Sequence, residues 1–238
     1  MIQTNNGIGA SRVINDFKEI GYRMEAKLLY APDYGVPQIR KRVFFVGTID
    51  GTFNFAFPEP LLQKDQYITC KQAIDDLPTL QNEDGSIIRG EELQDYTKDP
   101  DNEYQKKMRE GSLGVFNHIG SIPIEKTRQM ISLVPEGKNY KALPDQYKGI
   151  YKYHEALTRY NGDKPSLTIN TCHRSHFHYR YNRIPTVRES ARLQSFPDNF
   201  VFYGNKAEQY KQVGNAVPPL LAYAVAINVR KCLDECDK

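Results

Sequence analysis

The sequence of 238 residues contains no tryptophan, only four cysteines and no long apolar run. Its cysteines, Cys70, Cys172, Cys232 and Cys236, form no CxxC pair, which excludes a disulfide framework and predicts free thiols in a reducing compartment. No stretch of eighteen apolar residues occurs, and residues 1–6 are neither basic nor apolar, so we expect neither a membrane span nor a signal peptide. These absences predict a cytoplasmic protein.

Composition and charge favour a soluble globular chain with a local affinity for polyanions. The hydrophobic share of 39% is sufficient for a modest core in one large domain or two small ones. Net charge is only +3, but it is uneven. Residues 171–192 hold five arginines and three histidines against Glu189 alone. This concentration indicates a polyanion-binding surface, and the alternative is an arginine-rich face exposed to solvent.

Hydrophobic periodicity predicts a helix followed by two strands near the start of the chain. Apolar residues recur at intervals of three and four positions over residues 11–20, and Gly21 follows at the position where a helix would be capped. Alternation predicts a strand over residues 23–30, and a β-rich run predicts another over 42–49. The region beyond is rich in proline and charge, which predicts a separate, loop-rich domain. An apolar helix beginning near Pro218 should be buried against a larger body.

Three polar residues alternate in the segment that joins the two predicted strands. If that segment is extended, Gln38, Arg40 and Arg42 project to one side and can converge on one polar ligand. Guanidinium groups suit phosphate oxygens or a base carbonyl better than a lysine would. The alternative is a surface turn with exposed basic residues.

A second segment, residues 186–196, has the spacing of a capped helix. Thr186 stands at the N-cap position and Glu189 three residues later, which is the capping-box pattern. We therefore interpret Glu189 as a cap rather than an acid catalyst. Arg188 and Arg192 lie four apart and share one stripe of this helix; the alternative interpretation is two arginines facing solvent.

The third segment contains Gly214 and Asn215 just before the predicted terminal helix. The dipeptide predicts a tight turn that exposes backbone N–H groups and the Asn215 side chain at a helix N-terminus. Such a position binds a carboxylate or a phosphate. The alternative is a plain turn without a ligand.

Taken together, these segments resemble the C5-cytosine DNA methyltransferases. Residues 35–43 resemble that family's motif VIII, residues 183–196 its motif IX and residues 214–219 its motif X, in the family's order and spacing. Weaker similarities, typical of bacterial members, fall at residues 73–78, 117–118, 134–137 and 164–169. The resemblance extends over most of the chain.

The fold implied by the resemblance is α/β with two parts. Residues 1–52 and 201–238 would be the C-terminal part of an S-adenosylmethionine-dependent methyltransferase sheet. Residues 53–200 would be a smaller, loop-rich, β-containing target recognition domain that includes motif IX. Its loops would read bases in the major groove of double-stranded DNA.

The resemblance also implies a reaction. In this family the target cytosine is flipped out of the duplex, attacked at C6 by a cysteine thiolate and methylated at C5 from S-adenosylmethionine. Arg42 would contact the carbonyl of the flipped cytosine and hold the catalytic glutamate, while Arg40 and Gln38 would position the base and the adjacent backbone. The implied cofactor contacts, which form one wall of the S-adenosylmethionine pocket, are Asn215, Ala216 and Val217.

DNA contacts are implied along the spine between the two parts. The residues expected near the DNA are Arg174, Arg180, Arg183, Thr186, Arg188 and Arg192. The aromatic residues expected to read or clamp it are Phe177, Tyr179 and Tyr181. A bacterial restriction-modification system is the setting that the resemblance implies.

The sequence departs from the family pattern in one respect. The family's Gly-rich cofactor loop, Pro-Cys nucleophile loop and Glu-Asn-Val segment precede motif VIII, and none occurs in the 34 residues before Gly35. We therefore expect a C-terminal subunit or fragment that is inactive until an N-terminal partner supplies the nucleophile. One alternative is an inactive DNA-binding remnant. The other is a zinc-binding module, although we expect no metal site; its ligands would be Cys172, His173, His176 and His178.

Overall fold

The computed structural model describes residues 8–49, 55–82, 84–147, 157–171 and 175–236. Within these ranges the helices are α1 (Ile8–Glu19), α2 (Cys70–Ile74), α3 (Glu103–Arg109), α4 (Glu125–Ser132), α5 (Val187–Leu193), α6 (Lys206–Asn215) and α7 (Pro219–Cys236). The strands are β1 (Arg23–Tyr30), β2 (Lys41–Thr48), β3 (Leu93–Gln94), β4 (Val115–Phe116), β5 (Thr158–Arg159) and β6 (His176–Phe177). Short 3-10 turns lie at Ala31–Tyr34, Lys64–Gln66, Tyr140–Ala142 and Asp145–Tyr147.

The elements predicted near the start of the chain are confirmed with small shifts. Helix α1 begins three residues before the predicted start and is followed by Gly21, whose φ of +93° is readily adopted only by glycine. Strand β1 has the predicted bounds, and β2 begins one residue early. The two strands form an antiparallel hairpin in which Arg23 pairs with Thr48 and Tyr30 with Lys41.

Helix α7 packs against this hairpin, as predicted for an apolar helix. Its side chains Leu221 and Val225 are buried with Leu29 of β1 and with Phe57 from the segment that follows β2. Part of its surface remains open, since Tyr223 is 63% exposed. The α7 helix therefore closes one side of the hairpin and shares a hydrophobic core with it.

The region between residues 55 and 182 is loop-rich, as predicted. Its strands are two residues long: β3 pairs antiparallel with β4, and β5 pairs parallel with β6. The largest core brings α2 and α3 of this region together with α5 and α6. It includes Tyr210 and Val213 of α6, so the packing crosses the predicted domain limit at residue 200.

Helix α6 was not predicted from the sequence. Asn205 caps it, and Glu208 completes the capping box. The helix is bent by 41° from α7 across a short break. Among the residues that the structure describes, no single helix is both long enough and apolar enough to cross a membrane. Helices α6 and α7 meet these criteria only when they are counted together as one bent pair.

Candidate functional site

The loop between β1 and β2 is folded by local turns and tied to a distant segment. Gly35 adopts φ +78° and closes a 3-10 turn by donating its N–H to the carbonyl of Pro32 at 3.1 Å. Beyond it the chain extends, and Gln38 forms a parallel bridge with Ser166. Hydrogen bonds from Ile39 N–H to Ser166 O and from Ser166 N–H to Pro37 O, at 2.7 and 2.9 Å, fix that pairing.

Gln38 and Arg40 point into the protein, where they bond to other parts of the chain. Gln38 is fully buried, and its Nε2 donates to Gln194 Oε1 at 2.6 Å. Arg40 is 1% exposed. Its Nη1 donates to Ile169 O at 2.8 Å, and its Nη2 donates to Gly214 O at 2.7 Å. The expectation that both side chains meet a polar ligand is therefore wrong, because both are buried and bonded to the chain itself; the guanidinium nitrogen of Arg40 that has no partner, Nε, is buried as well.

Arg42 differs from its two neighbours. It is half-buried on β2, and its Nη1 donates to the carbonyl of Lys41 at 2.9 Å in an exposed hydrogen bond. Partial burial lowers the pKa of Arg42, but a guanidinium group remains charged at neutral pH. Of the three alternating residues, Arg42 is the one that presents charge at the surface.

The region expected to bind the cofactor is a helix junction. Gly214 and Asn215 form the last turn of α6, and Ala216 is its C-cap, so the predicted tight turn is wrong. A Cβ on Gly214 would lie 2.5 Å from the carbonyl oxygen of Asn170. The glycine is therefore required for a close backbone approach rather than for a turn.

Asn215 accordingly occupies the C-terminal end of α6, where the last turn presents carbonyl groups rather than N–H groups. The N-terminal end of α7 begins at Pro219, and its Leu220 N–H donates to Ser195 Oγ at 3.1 Å. Asn215 is exposed, Ala216 is half-buried and Val217 is 41% exposed. All three therefore retain accessible surface at the bend between α6 and α7.

Helix α5 begins as predicted. The Thr186 side chain accepts the N–H of Glu189, and the Glu189 carboxylate accepts the N–H of Thr186 at 2.7 Å. Arg183 donates both Nη groups to the same carboxylate, at 2.7 and 2.6 Å. Burial raises the pKa of Glu189, but the charge of Arg183 outweighs it and holds that pKa well below its usual range. Glu189 is thus a permanent carboxylate and a cap, not a proton donor.

Four residues expected near DNA lie inside the protein. They are Arg183, Thr186, Arg188 and Arg192, none more than 1% exposed. A phosphate group outside the protein cannot approach side chains that are covered in this way. Their expected contact with DNA is therefore wrong, and so is the alternative of arginines facing solvent.

Arg188 and Arg192 instead hold together segments that are far apart in sequence. Arg188 donates to three carbonyls, those of Phe116, Pro197 and Phe200, at 2.9, 3.0 and 2.7 Å. Burial lowers the pKa of Arg188 to about 10, so it is charged at neutral pH. Arg192 bridges two carboxylates. The shortest contacts are 2.6 Å to both oxygens of Asp198 and 3.0 Å to Oδ1 of Asp76.

Arg180 is the residue of this set that the structure leaves accessible. Its side chain is 51% exposed, donates to Asp75 Oδ2 at 2.9 Å and lies over the ring of Tyr179. Phe177 and Tyr179 are buried, which contradicts the expectation that they read bases, whereas Tyr181 is half-buried. Arg174 lies outside the described residues.

Two of the four expected zinc ligands are buried histidines. His178 Nδ1 accepts the backbone N–H groups of Arg180 and Tyr181 at 3.0 and 3.2 Å, so this nitrogen is occupied. Burial lowers the pKa of His178 to about 3 and that of His176 to about 4. Cys172 and His173 lie outside the described residues, and no group of three metal-ligating side chains occurs among those that are described.

An open basic groove lies beside the loop between β1 and β2. Its volume is about 590 Å³, and the exposed side chains of Lys138 and Lys141 line it together with Leu167. Of the described lining residues, none is acidic. Thr168, next to Leu167, donates its hydroxyl to the carbonyl of Ile39 at 2.6 Å. The groove thus adjoins the loop that carries Gln38 and Arg40.

The residues that organise this site were only partly identified from sequence. Gln194, fully buried, donates to Val213 O at 2.6 Å and to Ala216 O at 3.1 Å. Asp76 and His118 fall in segments whose similarity to the methyltransferase family was weak, and nothing in their local pattern indicated a buried polar role. The family similarity of those two segments was the available signal.

Comparison with known protein families gives one match that spans nearly the whole chain. The model described as C-5 cytosine-specific DNA methylase matches residues 1–231. A crystal structure described as a prophage-encoded DNA modification methyltransferase of E. coli superposes with a TM-score of 0.71 at 19% identity. The match covers 98% of this chain and 67% of that one, and it supports the α/β methyltransferase fold.

Curated relatives are similar over most of the chain. The type II methyltransferase M1.HphI of Haemophilus parahaemolyticus is 37% identical, over 95% of this chain and 53% of its own length. The type II methyltransferase M.DdeI of Desulfomicrobium norvegicum is 34% identical, over 90% of this chain and 56% of its own. The chain therefore spans about half the length of the curated relatives it matches.

Proposed function

The chain belongs to the C-5 cytosine-specific DNA methylase family, and we propose that it forms part of a cytosine-5 DNA methyltransferase of a restriction-modification system. In this proposal it recognises double-stranded DNA, supports the flipped cytosine and closes the S-adenosylmethionine pocket from one side. The nucleophilic cysteine comes from an N-terminal subunit or fragment.

One observation carries the proposal. The loop expected to support the cytosine and the helix junction expected to bind the cofactor are 174 residues apart in sequence, yet a hydrogen bond of 2.7 Å from Arg40 to Gly214 O joins them. A base held at Arg42 and a cofactor held at Asn215 would therefore approach each other. Methyl transfer needs this arrangement, because the reacting atoms must be held in near contact.

Arg42 is the residue that we assign to the cytosine. Its guanidinium is charged, half-buried and turned toward the surface, so it can donate to a base carbonyl and to a carboxylate of the partner. Partial burial strengthens such contacts relative to those in open water. In this proposal Gln38 and Arg40 do not contact the base, and they support Arg42 by fixing the backbone of the loop that precedes it.

The S-adenosylmethionine contacts that we propose are Asn215, Ala216 and Val217. Their accessible surface lies where α6 bends into α7. The amide of Asn215 offers donors to a carboxylate, and Val217 offers an apolar side chain. These residues would form one wall, and the remaining walls would come from the N-terminal partner.

The cysteines that the structure describes do not suit a nucleophile. Cys70 is fully buried, and burial raises the pKa of its thiol well above the usual range. Cys232 is buried in the core between α7 and the hairpin. Since the thiolate is the reactive form, the Cys70 thiol is inert at neutral pH, and the burial of Cys232 keeps its thiol away from a substrate. No cysteine in the sequence follows a proline.

DNA contacts are assigned to exposed cations rather than to the buried arginines. Arg180 stands at the surface near α2, and Lys138 and Lys141 line the basic groove beside the loop between β1 and β2. Lysine and arginine side chains that neutralise phosphates release counterions, so binding should weaken as salt rises. Lys138→Ala and Lys141→Ala should each reduce the salt dependence of DNA affinity by about one unit of log–log slope. Lys126→Ala, on exposed α4, is the matched control.

The decisive experiment measures methyl transfer from labelled S-adenosylmethionine to plasmid DNA. The chain would be assayed alone and together with the part of the M1.HphI methyltransferase that lies outside the matched 53% of that relative. We expect transfer only from the combination, which we call the assembled enzyme. DNA binding without transfer in any combination, including fusions of the two parts, would instead favour an inactive DNA-binding remnant.

Arg42→Ala tests the role given to that residue. Loss of a charged donor at the reacting base should reduce turnover of the assembled enzyme by about 10²-fold to 10³-fold, without preventing assembly. Arg23→Ala, at the other end of the same hairpin, is the matched control and should retain full turnover. Equal turnover in the two variants would contradict the assignment.

A further inference from the structure

The carbonyl groups of Val213, Gly214 and Ala216, at the end of α6 and its C-cap, lie beyond the helix's regular hydrogen-bond pattern, and the first of them accepts the N–H of Ala216 at 3.3 Å. The last four carbonyls of any helix need hydrogen-bond donors from elsewhere. Here two side chains supply them: Arg40 Nη2 donates to Gly214 O at 2.7 Å and to Ala216 O at 3.1 Å. Gln194 Nε2 donates to Val213 O at 2.6 Å and to the same Ala216 O at 3.1 Å. The end of the helix is thus held by the loop between β1 and β2 and by the end of α5.

Arg40 and Gln194 are also linked to each other through Gln38. Gln38 donates its Nε2 to Gln194 Oε1 at 2.6 Å, and its Oε1 accepts from Arg40 Nη1 at 3.3 Å. Gln38 Oε1 further accepts the N–H of Ile169 at 3.2 Å, and Arg40 donates to Ile169 O at 2.8 Å. Gln38, Arg40 and Gln194 are at most 1% exposed. We call these three residues the polar clamp.

The backbone fit of Gly214 adds a steric restraint to these bonds. A Cβ there would lie 2.5 Å from Asn170 O and 2.8 Å from Thr171 N. The 169–171 backbone and the end of α6 therefore pack without a side chain between them. A displacement of Ala216 would have to break the clamp or separate these two backbones.

We propose that Arg40 and Gln194 are positioning residues, which act through the carbonyls of residues 213–216 to fix the wall formed by Asn215, Ala216 and Val217. The inference rests on the proposed function, because that wall is the one assigned to S-adenosylmethionine. Neither side chain touches the cofactor. Their effect is to keep the wall in its binding shape before the cofactor arrives, which lowers the cost of ordering it on binding.

Gln194→Met and Arg40→Lys test the proposal. Methionine has a length similar to glutamine but offers no N–H donor, and lysine keeps the charge but loses the planar fork that reaches two carbonyls. Gln129→Met on exposed α4 is the matched control for the first variant and Arg12→Lys on exposed α1 for the second.

The first readout uses the 238-residue chain alone. Hydrogen–deuterium exchange should accelerate in the peptide that spans residues 213–222 in both test variants and in neither control, while α4 remains unchanged. Unchanged exchange at residues 213–222 in both test variants would overturn the proposal, whether or not the protein is an enzyme.

The second readout uses the assembled enzyme. We expect the KM for S-adenosylmethionine to rise about tenfold in Gln194→Met, a change that corresponds to about 1.4 kcal/mol, with the KM for DNA unchanged. Equal changes in both KM values, or a mere loss of folded protein, would overturn the proposal in favour of a structural role alone. If the wild-type assembled enzyme transfers no methyl group, the proposed function fails, and the cofactor part of this inference fails with it. The hydrogen–deuterium exchange result still decides whether the polar clamp holds residues 213–216 in place.

Discussion

Acidification should destabilise this protein well above the pH at which carboxylates become protonated. The cause is the burial of His118, His176 and His178, each of which has a lowered pKa in the folded chain. Such histidines stay neutral when folded but take up a proton when unfolded. Mild acid therefore favours the unfolded state.

The neighbours of these rings explain why they stay neutral. His118 is held between the carbonyl of Pro78, 2.8 Å from Nε2, and the hydroxyl of Thr186, 2.9 Å from Nδ1. Its Nε2 must carry the hydrogen, because a carbonyl can only accept. The buried Nε2 of His176 has no hydrogen-bond partner, and that ring stacks on Tyr160. Protonation would place an unpaired charge in the core at His176.

Burial lowers the pKa of His176 from 6.5 to about 4 and that of His178 to about 3. At neutral pH these two histidines do not reduce the free energy of unfolding. As pH falls below 6.5, the unfolded state takes up protons that the folded state does not, so the free energy of unfolding falls until the pKa of the folded state is reached. Each histidine costs about 1.4 kcal/mol per pH unit in that window. Between pH 6.5 and 5.0 the two together remove about 3 kcal/mol, and His118 acts in the same direction. This is a large share of a typical free energy of unfolding of about 5–15 kcal/mol.

Glu189, which faces His178 at 3.6 Å, does not oppose this trend in the same window. Its pKa lies well below the usual value when folded, because Arg183 outweighs the effect of burial. The stability that it contributes is complete above its unfolded pKa of about 4.5 and is lost only at lower pH. The slope between pH 6.5 and 5.0 therefore reports the histidines.

Urea denaturation of the chain at pH 7.5, 6.5, 5.5 and 5.0 measures this slope. His176→Phe keeps a ring that can stack on Tyr160 and removes both ring nitrogens, including the unpaired Nε2, so it should leave stability at pH 7.5 nearly unchanged and reduce the slope by about 1.4 kcal/mol per pH unit. A wild-type free energy of unfolding that is constant from pH 7.5 to 5.0 would refute the reasoning. An unaltered slope in His176→Phe would refute the contribution of that residue.

Three further predictions concern stability and are checked by urea midpoints at pH 7.5. Arg192→Ala removes the cation that Asp76 and Asp198 share, which leaves Asp76 with Arg109 at 2.7 Å and Asp198 with Arg188 at 3.7 Å, and should cost about 3–5 kcal/mol; a cost below 1 kcal/mol would mean that water enters. Gly214→Ala places a methyl group 2.5 Å from Asn170 O and should cost about 1–3 kcal/mol, whereas an unchanged midpoint would mean that the two backbones separate freely. Ser195 has φ +66°, and its hydroxyl accepts the N–H of Leu220 at the start of α7. Ser195→Ala and Ser195→Gly both lose this hydrogen bond, but only alanine keeps the backbone strain, so Ser195→Ala should be less stable than Ser195→Gly by about 1 kcal/mol. A more stable Ser195→Ala variant would contradict the strain.

The parts of the fold that were predicted correctly depend on local patterns. The bounds of β1, the Gly21 cap and the Thr186–Glu189 capping box follow from residues within a few positions of one another. The Gly214–Asn215 turn was predicted from an equally local pattern and was wrong. Its glycine serves a contact with Asn170, 44 residues away, and a local pattern contains no information about such a partner.

The arginines of residues 183–192 were expected near DNA because of the family resemblance and because positive charge is concentrated in this part of the sequence. Their burial depends on acceptors that come from distant segments, such as Asp76 for Arg192 and Phe116 O for Arg188. A buried guanidinium is tolerated only where nearly all of its donors are satisfied. The sequence contains both partners, but only the tertiary fold shows that they meet.

This burial changes how a loss of activity at α5 should be interpreted. In the proposed assembled enzyme, substitution of Arg188 or Arg192 should reduce methyl transfer by destabilising the fold, and an activity assay alone would wrongly suggest a DNA contact. The two causes differ in their salt dependence, because removal of a phosphate contact lowers the log–log slope of affinity against salt by about one. A buried arginine should instead lower the folded fraction and leave the slope of the remaining folded protein unchanged. Arg180 and Lys138, at the surface, should change the slope with little effect on stability.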